Sequence, residues 1–199
     1  MEYLYTIENI ISVRKMLDTQ IDYLLLTKWL STPEVLDFYE GRNNIYDIDM
    51  IKRKYSPRVK GKTKVTPCII EYDNIPIGYI QFYETNAKDY EINQVITDDE
   101  LIDFFAVDIF IGEISYWNKG IGTKVISSMI KYLYKFKNAE VIYIDPQTWN
   151  TRAIHTYEKS GFNKVALIKN REEFNGEMKD SCIMRINKCS VNYENSGCL

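Results

Sequence analysis

Residues 104–111, Phe-Phe-Ala-Val-Asp-Ile-Phe-Ile, form a continuous apolar run rich in β-favouring residues and broken once, by Asp108. The run predicts a buried strand and is too short to span a membrane. It leads through Asn118-Lys119-Gly120-Ile121-Gly122-Thr123 into residues 122–136. There Val125, Ile126, Met129, Ile130 and Leu133 fall on one helical face, and Lys124, Ser127, Ser128, Lys131 and Lys135 on the other. That is an amphipathic helix packed on a sheet. Residues 139–144 read as a second short buried strand, and strand, helix, strand at this spacing implies a right-handed parallel crossover. A helix over 150–160 follows, with Gly161 as its C-cap, and 162–168 and 181–186 read as two closing strands.

Upstream, residues 10–16 alternate as a first strand, and Asp18 or Thr19 caps a helix running to Leu30. Pro33 opens a short helix over 33–39 that Glu40-Gly41 stops. A third helix covers 48–55 and ends at Ser56-Pro57, with a basic loop over 58–64. Residues 66–72 and 76–83 pair as a hairpin about Asp73-Asn74, and Gly78 marks a bulge or a close backbone approach. Residues 85–103 are a long polar, acidic excursion, of a length that is functional or disordered in compact domains. The sum is one α/β domain over residues 1–188, a mixed sheet flanked by helices, with a polar tail over 189–199.

Length and composition agree with this. At 199 residues, 45% hydrophobic and 27% charged, the chain suits one well-packed globular domain. The four cysteines, Cys68, Cys182, Cys189 and Cys198, form no Cys-x-x-Cys pair and the one histidine, His155, completes no ligand set, so a reduced, metal-free, cytoplasmic protein is expected. The N-terminus predicts no signal peptide, and no stretch is apolar enough for a transmembrane helix. A net charge of −3 argues against general nucleic-acid binding. The charges are also segregated. Between Glu71 and Glu113 the acids are opposed by Lys88 alone, whereas Lys119, Lys124, Lys131, Lys135 and Lys137 follow without an acid among them.

Two features carry candidate chemistry. Asp108 places a carboxylate in an apolar strand, a costly position filled by either a structural ion pair or a functional acid or base. Asp108 and Phe110 share one face of the strand, Ile109 and Ile111 the other. The Gly120-x-Gly122 turn matches neither the P-loop spacing nor the dinucleotide fingerprint. On spacing alone it is as well a tight strand-to-helix connection as an anion cradle of backbone N–H groups.

The turn resembles the acyl-CoA pyrophosphate loop of the GNAT superfamily of N-acetyltransferases, Arg/Gln-x-x-Gly-x-Gly/Ala, with Trp117 in place of the first polar anchor. A second GNAT block, Asn150-x-x-Ala153-x-x-x-Tyr157-x-x-x-Gly161-Phe162, follows in the expected order. The resemblance implies a central sheet that splays open, acetyl-CoA as co-substrate, and no metal. It implies a pyrophosphate cradle at Asn118, Lys119, Gly120, Ile121, Gly122 and Thr123, main-chain partners for the pantetheine arm at Phe110 and Ile111, and a cofactor contact at Asn150. Tyr157 then stands where the family places an acid for the departing thiolate. In a chain with sixteen tyrosines, packing is the other reading of that residue. His155 lies off this face and is expected to be a surface or packing residue.

A closer resemblance covers roughly residues 20–186. Lys28-Trp29-Leu30, residues 35–41 (Val-Leu-Asp-Phe-Tyr-Glu-Gly), Val65-Thr66-Pro67, residues 75–81 (Ile-Pro-Ile-Gly-Tyr-Ile-Gln), the run around Asp108, and Asp145-Pro146 together resemble aminoglycoside 6′-N-acetyltransferases. By that resemblance Tyr39, Tyr55, Val65, Gln81, Asp108 and Asp145 line the acceptor site, with Asp108 beside the reacting amine. Tyr39 replaces a tryptophan of some relatives. A base there is useful, because an ammonium of pKa ~10 must lose its proton at a cost of about 4 kcal/mol at neutral pH. The implied partner is a small polycationic aminoglycoside, with no nucleic acid or membrane, acted on by a monomer or homodimer. Some relatives carry a C-terminal phosphotransferase domain, and none is expected before Leu199. The rivals are acetylation of a polyamine or protein amine, and a non-catalytic module that binds a cationic ligand or acyl-CoA. The triplet Asp98-Asp99-Glu100 reads more simply as a soluble loop than as acceptor lining.

Overall fold

The computed structural model describes residues 2–93 and 103–188. In chain order these form β1 (Tyr3–Ile7), β2 (Ile11–Lys15), α1 (Gln20–Trp29), α2 (Pro33–Leu36), α3 (Ile48–Val59), β3 (Thr66–Tyr72) and β4 (Ile75–Thr85). Then follow β5 (Phe104–Ile111), α4 (Ile121–Phe136), β6 (Val141–Ile144), α5 (Thr151–Lys159), β7 (Asn163–Phe174) and β8 (Glu177–Asn187). The strands build one mixed sheet in the order β1-β2-β3-β4-β5-β6-β8-β7, in which β5 and β6 are the parallel pair. Among the described residues no helix is long and apolar enough to cross a membrane.

The sheet is covered on both faces. Val125, Met129 and Leu133 of α4 pack fully buried with Val13, Ile70 and Ile80 on one face. Leu26, Trp29, Ile51 and Tyr55 from α1 and α3 pack with Ile69, Tyr79 and Phe110 on the other. Alternation along β5 decides which side chains reach which layer: Val107 joins the α4 side and Phe110 the α1/α3 side, with Asp108 beside Phe110. A buried guanidinium anchors α1 to the sheet. Arg14 donates to both Asp22 oxygens, at 2.7 and 2.8 Å, and to Glu71 Oε1 at 2.7 Å.

β5 sets the geometry of everything that follows. It pairs with β4 along its whole length, from Gly78↔Ile111 to Thr85↔Phe104, but with β6 only at Phe105↔Ile142 and Ala106↔Tyr143. From Val107 onward the two parallel strands diverge and leave a wedge, the splay the family resemblance implied. Gly78 is where β4 lies against this end of β5. A Cβ there would sit 2.5 Å from the Phe110 carbonyl oxygen and 3.0 Å from Ile111 Cα, and the register shifts between Ile70 and Glu71 opposite.

Several expected boundaries move. β1 was not expected; it joins β2 through Glu8 and Asn9, both at positive φ, so the first strand becomes a hairpin. α3 does not stop before Pro57 but runs to Val59, because Ile51 and Tyr55 are fully buried and hold the helix in place. α2 ends at Leu36 rather than at 39, β6 begins at Val141, and Asn150 is the N-cap of α5 rather than its first residue. The two closing strands are longer than expected and form a hairpin about Asn175-Gly176, both at positive φ as a two-residue turn needs. Within the acidic excursion, Ala87, Tyr90 and Ile92 pack on Phe104 and Tyr143. Asp98, Asp99 and Glu100, and the tail with Cys189 and Cys198, lie outside the described residues.

Gly78→Ala is expected to cost about 1–3 kcal/mol of stability by forcing β4 off β5, measured as a lower urea midpoint. An unchanged midpoint would show that the two strands are not held at this distance.

Candidate functional site

A cleft of about 530 Å³ opens where β5 leaves β6. β4 and β5 form its floor, α3 and the segment after α2 one wall, and α5 with the β7–β8 hairpin the other. Asp108 lies on the floor and accepts a hydrogen bond of 2.6 Å from Gln81 Nε2, its cross-strand neighbour. The orientation of that amide is dictated from behind. Gln81 Oε1 accepts from Tyr79 Oη and from Arg58 Nη1, each at 2.7 Å, so the amide nitrogen must face Asp108. Burial pushes the Asp108 carboxyl above the usual carboxylate range; Gln81 and Arg58 oppose this, while Glu40 and Glu172 add to it.

Asp145 stands across the wedge at the end of β6, accepting from Tyr90 Oη at 2.8 Å and paired with Arg171 Nη2 at 3.1 Å. Burial pushes it up to about 7 against the pull of Arg171 and Tyr90, and Asp108 raises it further. Tyr39 lies 4.7 Å from the Phe110 ring and lines the cleft. Glu40 is tied to Lys54, which also donates to Tyr46 Oη at 2.9 Å. The rim is aromatic: Phe38 touches Trp117 and Trp149, and Trp149 touches Phe174 of the hairpin, at ring separations of 5.2–6.0 Å. Asn175 at the hairpin tip accepts from the Arg42 N–H at 2.6 Å, so the hairpin is fastened to the wall opposite.

The glycine turn lies at the other end of the cleft. Asn118 and Gly120 both adopt positive φ, 59° and 73°, and α4 then begins without a side-chain cap. Its first N–H groups are therefore left for a ligand or solvent. A Cβ on Gly120 would meet nothing within 4 Å, and one on Gly122 would meet only Thr156 Cγ2, at 3.8 Å. Space here belongs to something other than packing. Gly122, Phe110, Ile111 and Asn150 line this end, but the Ile111 carbonyl already accepts from the Trp117 indole at 2.7 Å, and the Asn150 side chain caps the Ala153 N–H at 3.1 Å. Lys124, in the first turn of α4, is drawn to Glu8 at 2.6 Å.

Tyr157 lines the cleft from α5, and burial first, then Asp108 and Asp145, hold its phenol well above the ordinary range, so it keeps its proton. His155 is exposed, the first of its two expected readings. Two expected acceptor residues lie elsewhere. Tyr55 is fully buried under the floor, edge-on to Tyr79 at 5.4 Å, and Val65 sits half-buried before β3; neither lines the cleft. Arg58, Tyr90 and Arg171 went unanticipated. Arg58 and Tyr90 fell in segments read as loops, and the Asn175-Gly176 dipeptide was the signal that would have placed Arg171 on a strand.

The family described as acetyltransferase (GNAT) domain matches this chain over residues 18–170. The aminoglycoside N(6′)-acetyltransferase type 1 of Klebsiella pneumoniae is 29% identical over 157 residues, 79% of this chain and 77% of that protein. The crystal structure of the aminoglycoside acetyltransferase AAC(6′)-Ib with coenzyme A and kanamycin superposes with a TM-score of 0.71 at 25% identity, covering 90% of this chain and 96% of that one. The spermidine N-acetyltransferase of Vibrio cholerae, solved with CoA and spermine, gives a TM-score of 0.72 at 16% identity over 92% and 98%, a likeness of fold.

Because the fold raises the Asp145 pKa, the stability this group lends is complete below the unfolded value near 3.8 and lost as pH rises through about 7. Asp145→Asn, neutral at every pH, is expected to raise the melting temperature clearly at about pH 8.5 and little at about pH 5. Equal shifts at both would contradict a raised Asp145.

Proposed function

The chain belongs to the acetyltransferase (GNAT) family, and we propose that as an acetyl-CoA-dependent N-acetyltransferase it acts on the 6′-amine of an aminoglycoside. What carries this reading is Asp108, a carboxylate oriented by Gln81 at the wedge where β5 leaves β6, in a cleft further lined by Glu40, Asp89, Glu91, Asp145 and Glu172. Such a lining suits a polycation. The named relative of Klebsiella pneumoniae supports an aminoglycoside as that polycation. The reaction would replace an ammonium with a neutral amide, and so weaken the drug's hold on ribosomal RNA. A cytoplasmic location belongs to the same reading, with acetyl-CoA as the co-substrate.

The residues at the glycine end fit this co-substrate. The uncapped start of α4 offers N–H donors and helix-dipole charge to a pyrophosphate, and the open space at Gly120 and Gly122 admits it. The edge of β5 that β6 leaves runs past Phe110 and Ile111, where an amide-bearing arm would meet main-chain groups and share the Ile111 carbonyl with the Trp117 indole, and Asn150 lines the same end. When bound, acetyl-CoA supplies an activated acetyl thioester. Asp108 draws the acceptor ammonium by charge and takes its proton, directly or through water, leaving the free amine to form the new C–N bond. Tyr157, held protonated, gives its proton to the departing sulfur as the C–S bond breaks. Tyr39 presents an aromatic face to a sugar ring, and Gln81 positions Asp108 rather than meeting the acceptor first.

Thiol release from acetyl-CoA with kanamycin, its 6′-hydroxy analogue and spermidine tests the assignment. Turnover with kanamycin alone is the expected result; turnover with spermidine alone would keep the fold and overturn the acceptor, and no turnover with any amine would favour a binding module. Asp108→Asn should lower kcat/KM for kanamycin about 10²–10⁴-fold at neutral pH. In the unmodified protein the acidic limb of kcat/KM should lie above the ordinary aspartate value of about 3.9, activity falling as pH drops through it. Gly122→Ala should leave the melting temperature level or higher, since alanine favours the helix by about 1 kcal/mol, while raising KM for acetyl-CoA. An unchanged KM would remove Gly122 from the cradle.

A further inference from the structure

The acceptor half of the cleft holds two guanidinium groups that move no proton in the acetyl transfer, although one of them, Arg58, helps to orient Gln81. Arg58 gives Nη1 to Gln81 Oε1 at 2.7 Å and lies 5.0 Å from the Tyr55 ring centroid. Arg171, on β7 across the cleft, donates from Nη2 to the Tyr90 carbonyl at 2.6 Å, pairs through the same nitrogen with Asp145 at 3.1 Å, and stands 5.0 Å over the Tyr90 ring. Its other terminal nitrogen, Nη1, is buried and has no acceptor among the described residues. Both side chains line the cleft. Tyr83, Asp108 and Asp145 line the same cleft, so the guanidiniums and the carboxylates surround one space.

The chemistry of these groups discriminates among polycations. A guanidinium donates and never accepts, and so does an ammonium. A linear polyamine, made of ammoniums and methylenes, would satisfy Asp108 and Asp145 but face Arg58 and Arg171 with like charge and nothing to accept their N–H bonds. An amino sugar carries hydroxyl oxygens within one ring's width of its ammoniums. It can donate to the carboxylates and accept from the guanidiniums together. A buried donor left without an acceptor bears its whole desolvation cost, so the complement matters most at Arg171 Nη1.

We propose that Arg171, with Arg58 opposite, is a specificity-determining residue that reads hydroxyl oxygens on the amine-bearing ring of the acceptor. It thereby makes a site for an amino sugar out of an acid-lined cleft that any polycation could enter. The proposal rests on the aminoglycoside reading and names the groups that enforce it.

Kanamycin B and its 3′,4′-dideoxy derivative differ only in ring hydroxyls and supply the test. The unmodified protein should turn over kanamycin B with kcat/KM about tenfold or more above that of the dideoxy compound, as loss of a hydrogen bond to a charged group implies. In Arg171→Met that ratio should fall to within about threefold of one, chiefly through KM, with folding checked by the melting temperature and by KM for acetyl-CoA. Arg58→Met is the second variant should the first not fold, and it should narrow the ratio in the same direction. Equal use of both compounds by the unmodified protein, or a ratio that neither variant alters, overturns the proposal while leaving the aminoglycoside reading intact. Acetylation of spermidine with neither sugar as substrate overturns that reading itself.

Discussion

The early parting of β5 from β6 is the constraint on which the rest depends. Two parallel strands that stay paired would bury Asp108 against a neighbour; these separate after Ala106, and the carboxylate gains a cleft instead. The same separation frees one main-chain edge of β5 and directs the chain into the turn that starts α4. The Asp108 carboxylate and the glycine turn are thus both positioned by one strand and the chain that continues from it. Gly78 keeps the opposite edge of β5 pressed to β4, so the opening occurs on one side only.

Charge is managed in two different ways within this domain. Around Arg14 the charges are matched: Asp22 accepts twice from Arg14 and once from the Leu17 N–H, Glu71 accepts from Arg14 and from Ser12 Oγ at 3.2 Å, and the group is buried. Such a cluster fixes α1 on the sheet and has nothing left to offer a ligand. In the cleft the balance is left incomplete. Asp108 holds one amide donor, burial raises Asp145 to about 7, and one nitrogen of Arg171 has no acceptor among the described residues. A functional surface differs from a structural one here by what it leaves unmatched.

Much of this architecture was legible in the sequence because local patterns carried it. The apolar run with a lone Asp, the two-glycine turn and the amphipathic face after it specify β5, the turn and α4 almost to the residue, and Asp73-Asn74 fixes the β3–β4 hairpin. What escaped was set by tertiary packing or by neighbours remote in sequence. Pro57 argued for a helix end that the burial of Tyr55 overrides. Tyr55 itself matched an acceptor position but points into the core layer. Gln81 was read as lining the acceptor site, and only the arrival of Tyr79 and Arg58 at its oxygen reveals it as the group that aims Asp108. Arg171 and Tyr90 reach the cleft from segments that carry no periodic signal of their own.

The placement of the three tryptophans gives the molecule an internal optical division. Trp29 is wholly buried beneath Phe110, whereas Trp117 and Trp149 stand on the cleft rim, at the glycine end and beside the hairpin. The first is shielded from solvent within the core; in the proposed function the other two would exchange water for ligand when either substrate binds. The intrinsic fluorescence of the unlabelled protein therefore divides into a component that follows folding and one that follows occupancy, and the two can be read in the same spectrum.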